Sequence, residues 1–142
     1  MTTIATDGET LAADSRITEG NYIFTDEAEK VFKVGDTYVA ICGEYQSGLA
    51  YVDWLKKERS SEKPTVSEDN FSAILVTSDG VFCVDNMLIP MKVSLPYAMG
   101  SGGPVALGAM LAGCSPAEAI NIALQVDASS GGEVQEYDLE FE

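Results

Sequence analysis

Short β-branched and apolar runs that meet at tight-turn residues restrict this chain more than any other feature. Thr3-Ile4-Ala5-Thr6 and Thr10-Leu11-Ala12-Ala13 flank Asp7-Gly8, a pair that supplies the positive φ angles a tight hairpin needs. Lys30-Val31-Phe32-Lys33-Val34 and Thr37-Tyr38-Val39-Ala40-Ile41 flank Gly35-Asp36 in the same way, as do Ala73-Ile74-Leu75-Val76 and Val81-Phe82-Cys83-Val84 around Ser78-Asp79-Gly80. Three successive hairpins predict antiparallel sheet.

Leu49, Val52 and Leu55, with Tyr45, Tyr51 and Trp54, recur at helical spacing and predict one amphipathic helix closed by Lys56, Lys57, Glu58 and Arg59. Residues 60–70 are polar and broken by Pro64, the composition of a surface loop. The apolar residues Val105, Ala106, Leu107, Ala109, Met110 and Leu111 predict a mostly buried helix over 102–113, with Pro104 in its first turn. Ser115-Pro116-Ala117-Glu118 reads as a capping box that restarts a helix through about Val126. Tyr137, Leu139 and Phe141 alternate with Asp138, Glu140 and Glu142, the period of a half-exposed strand. This order fits paired antiparallel sheets flanked by helices, an α+β arrangement, better than alternating βαβ units. The 142 residues fit a single domain over 1–142, without an internal repeat or low-complexity tract.

Composition removes several functions. Twenty-three acidic residues against eight basic ones give a formal charge of −15, which repels nucleic acid phosphates and anionic lipid. No apolar run reaches the length of a signal peptide or a membrane span, so neither membrane nor nucleic acid is an expected partner. Cys42, Cys83 and Cys114 are odd in number and set among apolar neighbours, as expected of buried free thiols in a reducing, cytoplasmic compartment. The absence of histidine excludes Ser–His and Cys–His catalytic pairs and histidine metal sites, so any general base must be another group.

One such group is the chain's own amine. Removal of Met1 would make Thr2 the first residue, and a free α-amine with a pKa of about 7.7–8.0 is partly neutral near neutral pH, able to take the threonine hydroxyl's proton. An ordinary Met-Thr-Thr start is the competing reading. Asp14, after the small residues Ala12 and Ala13, could meet Lys30 from a neighbouring strand. A lysine beside the nucleophile would favour the alkoxide, with Asp14 holding the lysine in place; a surface ion pair at strand ends is the alternative.

These residues lie in motifs that carry a family resemblance. Ala13-Asp14-Ser15-Arg16-Ile17-Thr18-Glu19-Gly20-Asn21-Tyr22-Ile23, followed by Glu29-Lys30-Val31, resembles the start of proteasome β subunits and of the bacterial protease HslV. Ala98-Met99-Gly100-Ser101-Gly102-Gly103-Pro104 and Asp127-Ala128-Ser129-Ser130-Gly131-Gly132 are similar to two later motifs of the family. The resemblance implies a four-layer αββα sandwich, the N-terminal-nucleophile (Ntn) hydrolase fold, and a threonine protease that degrades unfolded polypeptide inside a homo-oligomeric ring, fed by an ATP-dependent AAA+ unfoldase. Residue by residue it implies Thr2 as nucleophile, Asp14 and Lys30 as its charge partners, and Ser101, Asp127 and Ser130 as the group orienting the Thr2 amine. It further implies Gly43 N–H as oxyanion donor and an apolar substrate pocket at Ile17, Ala28 and Ile41. No cofactor is expected for catalysis. A structural sodium or magnesium ion on the backbone carbonyls of Leu124, Asp127 and Ser130 is a weaker implication.

The chain departs from the family in two places. It has room for one helix between its second and third hairpins where the family has two, and Glu44 stands where a second small residue is common, with the expectation of narrowed access or repelled acidic substrates. An inactive ring-forming scaffold and an amidohydrolase acting on a small amide are the competing functions. The complete set Thr2, Asp14, Lys30, Ser101, Asp127 and Ser130 argues against the scaffold.

Overall fold

The structure is a computed structural model that describes residues 2–141. Its first sheet is built from β1 (Thr3–Thr6), β2 (Thr10–Ala13), β10 (Tyr97–Gly100) and β11 (Gln135–Asp138), in the order β10-β1-β2-β11. A second sheet holds β5 (Val31–Val34), β6 (Thr37–Gly43), β7 (Phe71–Thr77), β8 (Gly80–Val84) and β9 (Met91–Lys92) in sequence order. β3 (Ile17–Glu19) and β4 (Tyr22–Thr25) pair as a separate hairpin. All strand pairs described are antiparallel.

Both main sheets are covered on both faces, and the period of two along each strand sorts side chains into three cores. Ile4, Leu11 and Ala13 point between the sheets to meet Val31, Tyr38, Ala40, Ile74, Val76 and Val81. Ala5 and Ala12, one residue out of phase, pack against α2 (Gly103–Leu111) and α3 (Pro116–Ala123) through Ala106, Met110, Ala119, Ile120 and Ala123. On the far side Val39, Ile41, Ala73 and Leu75 pack against Tyr51, Val52 and Trp54 of α1 (Tyr45–Lys56). The layers therefore run helix, sheet, sheet, helix: the expected αββα sandwich. Small alanines on the α2/α3 side let two helices lie close to β1 and β2, whereas a single helix covers the second sheet.

The three anticipated hairpins form, with β6 and β7 each extending to seven residues. The capping box at the start of α3 is present, Glu118 N donating to Ser115 Oγ at 3.2 Å and Ser115 N to Glu118 Oε1 at 2.9 Å. Boundaries differ where backbone turns intervene. α1 stops at Lys56 because Glu58 and Arg59 take φ of 54° and 58° and Arg59 N folds back to Trp54 O at 3.1 Å. α3 stops at Ala123, after which Gln125 and Val126 donate three residues back, to Ile122 O and Ala123 O. Lys30 lies one residue before β5, and β11 ends at Asp138, with Glu142 of the anticipated alternation outside the described residues. The β3–β4 hairpin and β9–β10 were not anticipated as strands. Tyr22, Ile23 and Phe24 form an exposed, unbroken apolar run whose composition carries no alternation. Residues 60–70 hold neither helix nor strand. No helix among the described residues is long and apolar enough to cross a membrane.

Candidate active site

Thr2 precedes β1 and is buried at the edge of the inter-sheet layer, where it meets two clusters. The first is an ion pair. Lys30 Nζ lies 2.8 Å from Asp14 Oδ1, with side-chain exposures of 2% and 0%. The ammonium also donates to Thr2 Oγ1 at 3.1 Å and to Arg16 O at 2.6 Å. Three acceptors match the three protons of a charged lysine, so Lys30 addresses the Thr2 hydroxyl as a donor rather than as a base. Burial pushes the Lys30 pKa below its ordinary value, and Asp14 opposes that shift through its charge and hydrogen bond. Asp14 is itself fixed by backbone donors: Thr3 N to Oδ1 at 3.0 Å, and Gly131 N and Arg16 N to Oδ2 at 2.9 and 3.3 Å. A buried ion pair whose other donors and acceptors are all engaged is the arrangement that withstands removal from water.

The second cluster holds the backbone nitrogen of Thr2. That nitrogen donates to Ser101 Oγ at 3.2 Å, and Ser101 Oγ donates to Asp127 Oδ2 at 2.6 Å. Ser130 Oγ donates to the same carboxylate oxygen at 2.6 Å. Since the Ser130 proton is committed there, the 2.7 Å contact between Ser130 Oγ and Thr3 Oγ1 has Thr3 as its donor. Burial raises the pKa of Asp127, but the hydrogen bonds from Ser101, Ser130 and Ser129 N–H lower it further, and the net displacement is downward. The carboxylate stays ionised and the serine hydroxyls stay oriented.

Thr2 opens on a cleft of about 900 Å³ lined also by Ile17, Ile41, Gly43, Glu44, Tyr45, Leu49, Asn70, Glu19 and Phe24. Gly43 ends β6 with φ 88°, and a Cβ there would stand 2.3 Å from Asn70 O. The glycine is therefore required by its own backbone angle and by the β7 approach, not only by close substrate passage. Of the anticipated pocket residues, Ile17 and Ile41 line the cleft. Ala28 does not: it is buried, its N–H bound to Ser15 O and its carbonyl to Gln135 Nε2. Leu124 caps α3, and the Asp127 carbonyl already accepts Ser130 N at 3.2 Å, leaving its second lone pair for any ion. No group of three or more Cys, Asp or Glu side chains suited to a metal occurs among the described residues.

Thr3 was missed by sequence reasoning. Its signal is a fully buried polar residue in phase with Ala5, on the helix-facing side of β1, where Ser130 is its partner.

The proteasome subunit family model matches residues 2–77, more than half of the 142 residues. The chain belongs to the proteasome subunit family. No curated protein matches it. Among solved structures, this family member is similar to Thiobacillus denitrificans BPH at 24% identity and a TM-score of 0.73, and to the same protein in complex with epoxomicin at 23% and 0.72. It is also similar to the eukaryotic HslV from Trypanosoma brucei at 18% identity and a TM-score of 0.76. Each comparison covers 98% of both chains, so the shared fold includes the whole sandwich. Membership of the proteasome family supports a protease-type function.

Proposed function

We propose that the chain is a threonine endopeptidase that becomes active when Met1 is removed. The observation that carries this reading is Lys30 Nζ at 3.1 Å from Thr2 Oγ1, with Asp14 at 2.8 Å behind it and the cleft in front. With Met1 attached, Thr2 N is an amide and has no lone pair to accept a proton. Once freed, it becomes an amine held by Ser101 beside the hydroxyl. The amine takes the hydroxyl proton as Oγ1 attacks the scissile carbonyl, and the Lys30 ammonium favours the developing alkoxide. The same proton then passes to the leaving amine, which departs as the acyl bond to Thr2 forms. Water, deprotonated by the amine, hydrolyses that ester and restores Thr2.

Gly43 N–H is assigned as the oxyanion donor because it borders the cleft that holds Thr2. Ile17 and Ile41 favour an apolar side chain before the scissile bond, and Glu44 on the rim disfavours acidic substrate. By family likeness the working form is a homo-oligomeric ring in the cytoplasm, supplied with unfolded polypeptide by an ATP-dependent unfoldase. No metal takes part in the chemistry; a sodium or magnesium ion at Leu124, Asp127 and Ser130 would only brace that loop.

The similarity to a protein that binds epoxomicin supports the test. Protein made with normal methionine trimming is analysed by intact mass spectrometry before and after treatment with an epoxyketone. Loss of Met1 and a single adduct on Thr2 are expected, and a trimmed chain that forms no adduct and cleaves no peptide would overturn the reading.

A further inference from the structure

Two clusters hold Thr2, and one side chain outside both connects them. Arg16 donates from Nε to Asp26 Oδ1 at 2.8 Å and from Nη2 to Asp26 Oδ2 at 3.2 Å, a bidentate pair. Its third guanidinium contact is Nη1 to Ala128 O at 3.2 Å, inside the Asp127–Ser130 loop. The backbone of the same residue serves the other cluster: Arg16 O accepts from Lys30 Nζ at 2.6 Å and Arg16 N donates to Asp14 Oδ2 at 3.3 Å. The guanidinium also lies on Gly131, where a Cβ would meet Cζ, Nε and Nη2 at 2.4, 2.5 and 2.6 Å. Gly131 is not among the glycines with positive φ, so this contact, not backbone strain, is what excludes a side chain there. Gly131 N in turn donates to Asp14 Oδ2 at 2.9 Å, and Gly131 O accepts Ser15 N at 2.9 Å.

We propose that Arg16, held by Asp26 and laid across Gly131, is a positioning residue that keeps the amine-orienting loop in register with the Asp14–Lys30 pair. It touches neither the nucleophile nor the cleft through its guanidinium; it acts through Ala128, Gly131 and its own backbone. Asp26 follows β4, so the clamp also ties the exposed β3–β4 hairpin, whose Phe24 lines the cleft, to the loop behind Thr2. The flat, two-pronged contact with Asp26 requires a guanidinium, which a lysine ammonium does not reproduce.

The proposal rests on the threonine-protease reading, so wild-type activity is measured first; an inactive, trimmed wild type would sink that reading and not this one. Given an active wild type, Arg16→Lys and Asp26→Asn are expected to lower kcat about 10- to 100-fold with KM within about threefold, since displacement of reacting groups by about an ångström has that effect on rate. Gly131→Ala should do the same by displacing the guanidinium, and its effect should disappear in the Arg16→Ala background, because the obstacle to its methyl group is then gone. That non-additivity separates positioning from general loosening of the fold. Unchanged kcat in folded Arg16→Lys and Asp26→Asn, or a Gly131→Ala effect that persists in Arg16→Ala, would overturn the proposal. Should Arg16→Ala not fold, the same cycle is run on Arg16→Lys with Gly131→Ala, where additive losses count against it.

Discussion

Lys30 makes the sharpest residue-scale case. Lys30→Ala removes a donor that lies 3.1 Å from the Thr2 hydroxyl and is expected to cut kcat about 100- to 1,000-fold, the usual effect of deleting one preorganised electrostatic partner. Asp14→Ala should act differently, leaving a buried ammonium without its counter-charge and costing about 3–5 kcal/mol in chemical denaturation. The pH profile follows from the direction of the Lys30 shift. Its folded pKa lies below 10.5, so the charge facing Thr2 is lost before an ordinary lysine would titrate, and kcat/KM should fall on the alkaline side within that window. Across the same window the folded lysine binds fewer protons than the unfolded one, so its own contribution to stability rises with pH. Asp127 is the opposite case: its folded pKa lies below 3.8, its stabilising contribution is complete above that value, and it is lost as pH falls through the folded value. Acid titrations of unfolding should therefore show a shallower loss in Asp127→Asn than in the wild type below pH 3.8.

At the scale of elements, β6 and β7 meet where Gly43 faces Asn70 O, and Gly43→Ala must change both a φ of 88° and that contact. A destabilisation of about 1–3 kcal/mol, read from denaturant midpoints, is expected for the backbone angle alone. Ser115→Ala should cost about 1 kcal/mol by removing the α3 cap, with little effect on activity since neither Ser115 nor Glu118 lines the cleft. The elements legible in the sequence were those with a turn signal and a regular period: Asp7-Gly8, Gly35-Asp36 and Ser78-Asp79-Gly80 each set a hairpin, and Ser115-Pro116-Ala117-Glu118 set a helix start. β3, β4 and β9 were not legible because their residues are partly or largely exposed in short strands. β10 was not legible because Tyr97, Ala98 and Met99 are apolar on both faces, Tyr97 and Met99 packing on the inter-sheet core and Ala98 on the α2/α3 side, which leaves no polar alternation to read.

For the whole molecule, the three-layered core follows from strands buried on both faces, and the proposed activity would depend on one covalent change, the removal of Met1. A form that retains Met1 is expected to fold with the same thermal midpoint yet neither cleave peptide nor take up an epoxyketone. A charge of −15 on each copy would oppose formation of the proposed ring, so light scattering is expected to show larger species at higher salt, through the range where screening shortens to about 10 Å. Thr2, Asp14, Lys30, Ser101, Asp127 and Ser130 were singled out in the sequence because they stand in motifs that resemble those of the family, and the structure brings them together around Thr2. Local pattern also determined the hairpins and the α3 start, since these depend on residues a few positions apart, whereas the αββα layering was implied by the family resemblance and joins strands as distant as β1 and β10. What only the tertiary structure decided are contacts between distant segments: Thr3 with Ser130, Gly43 against Asn70, Ala28 bonded through its backbone to Ser15 and Gln135, and Arg16 laid across Gly131. Each depends on how closely two backbones approach and which way a side chain points, and neither quantity is written in spacing along one chain.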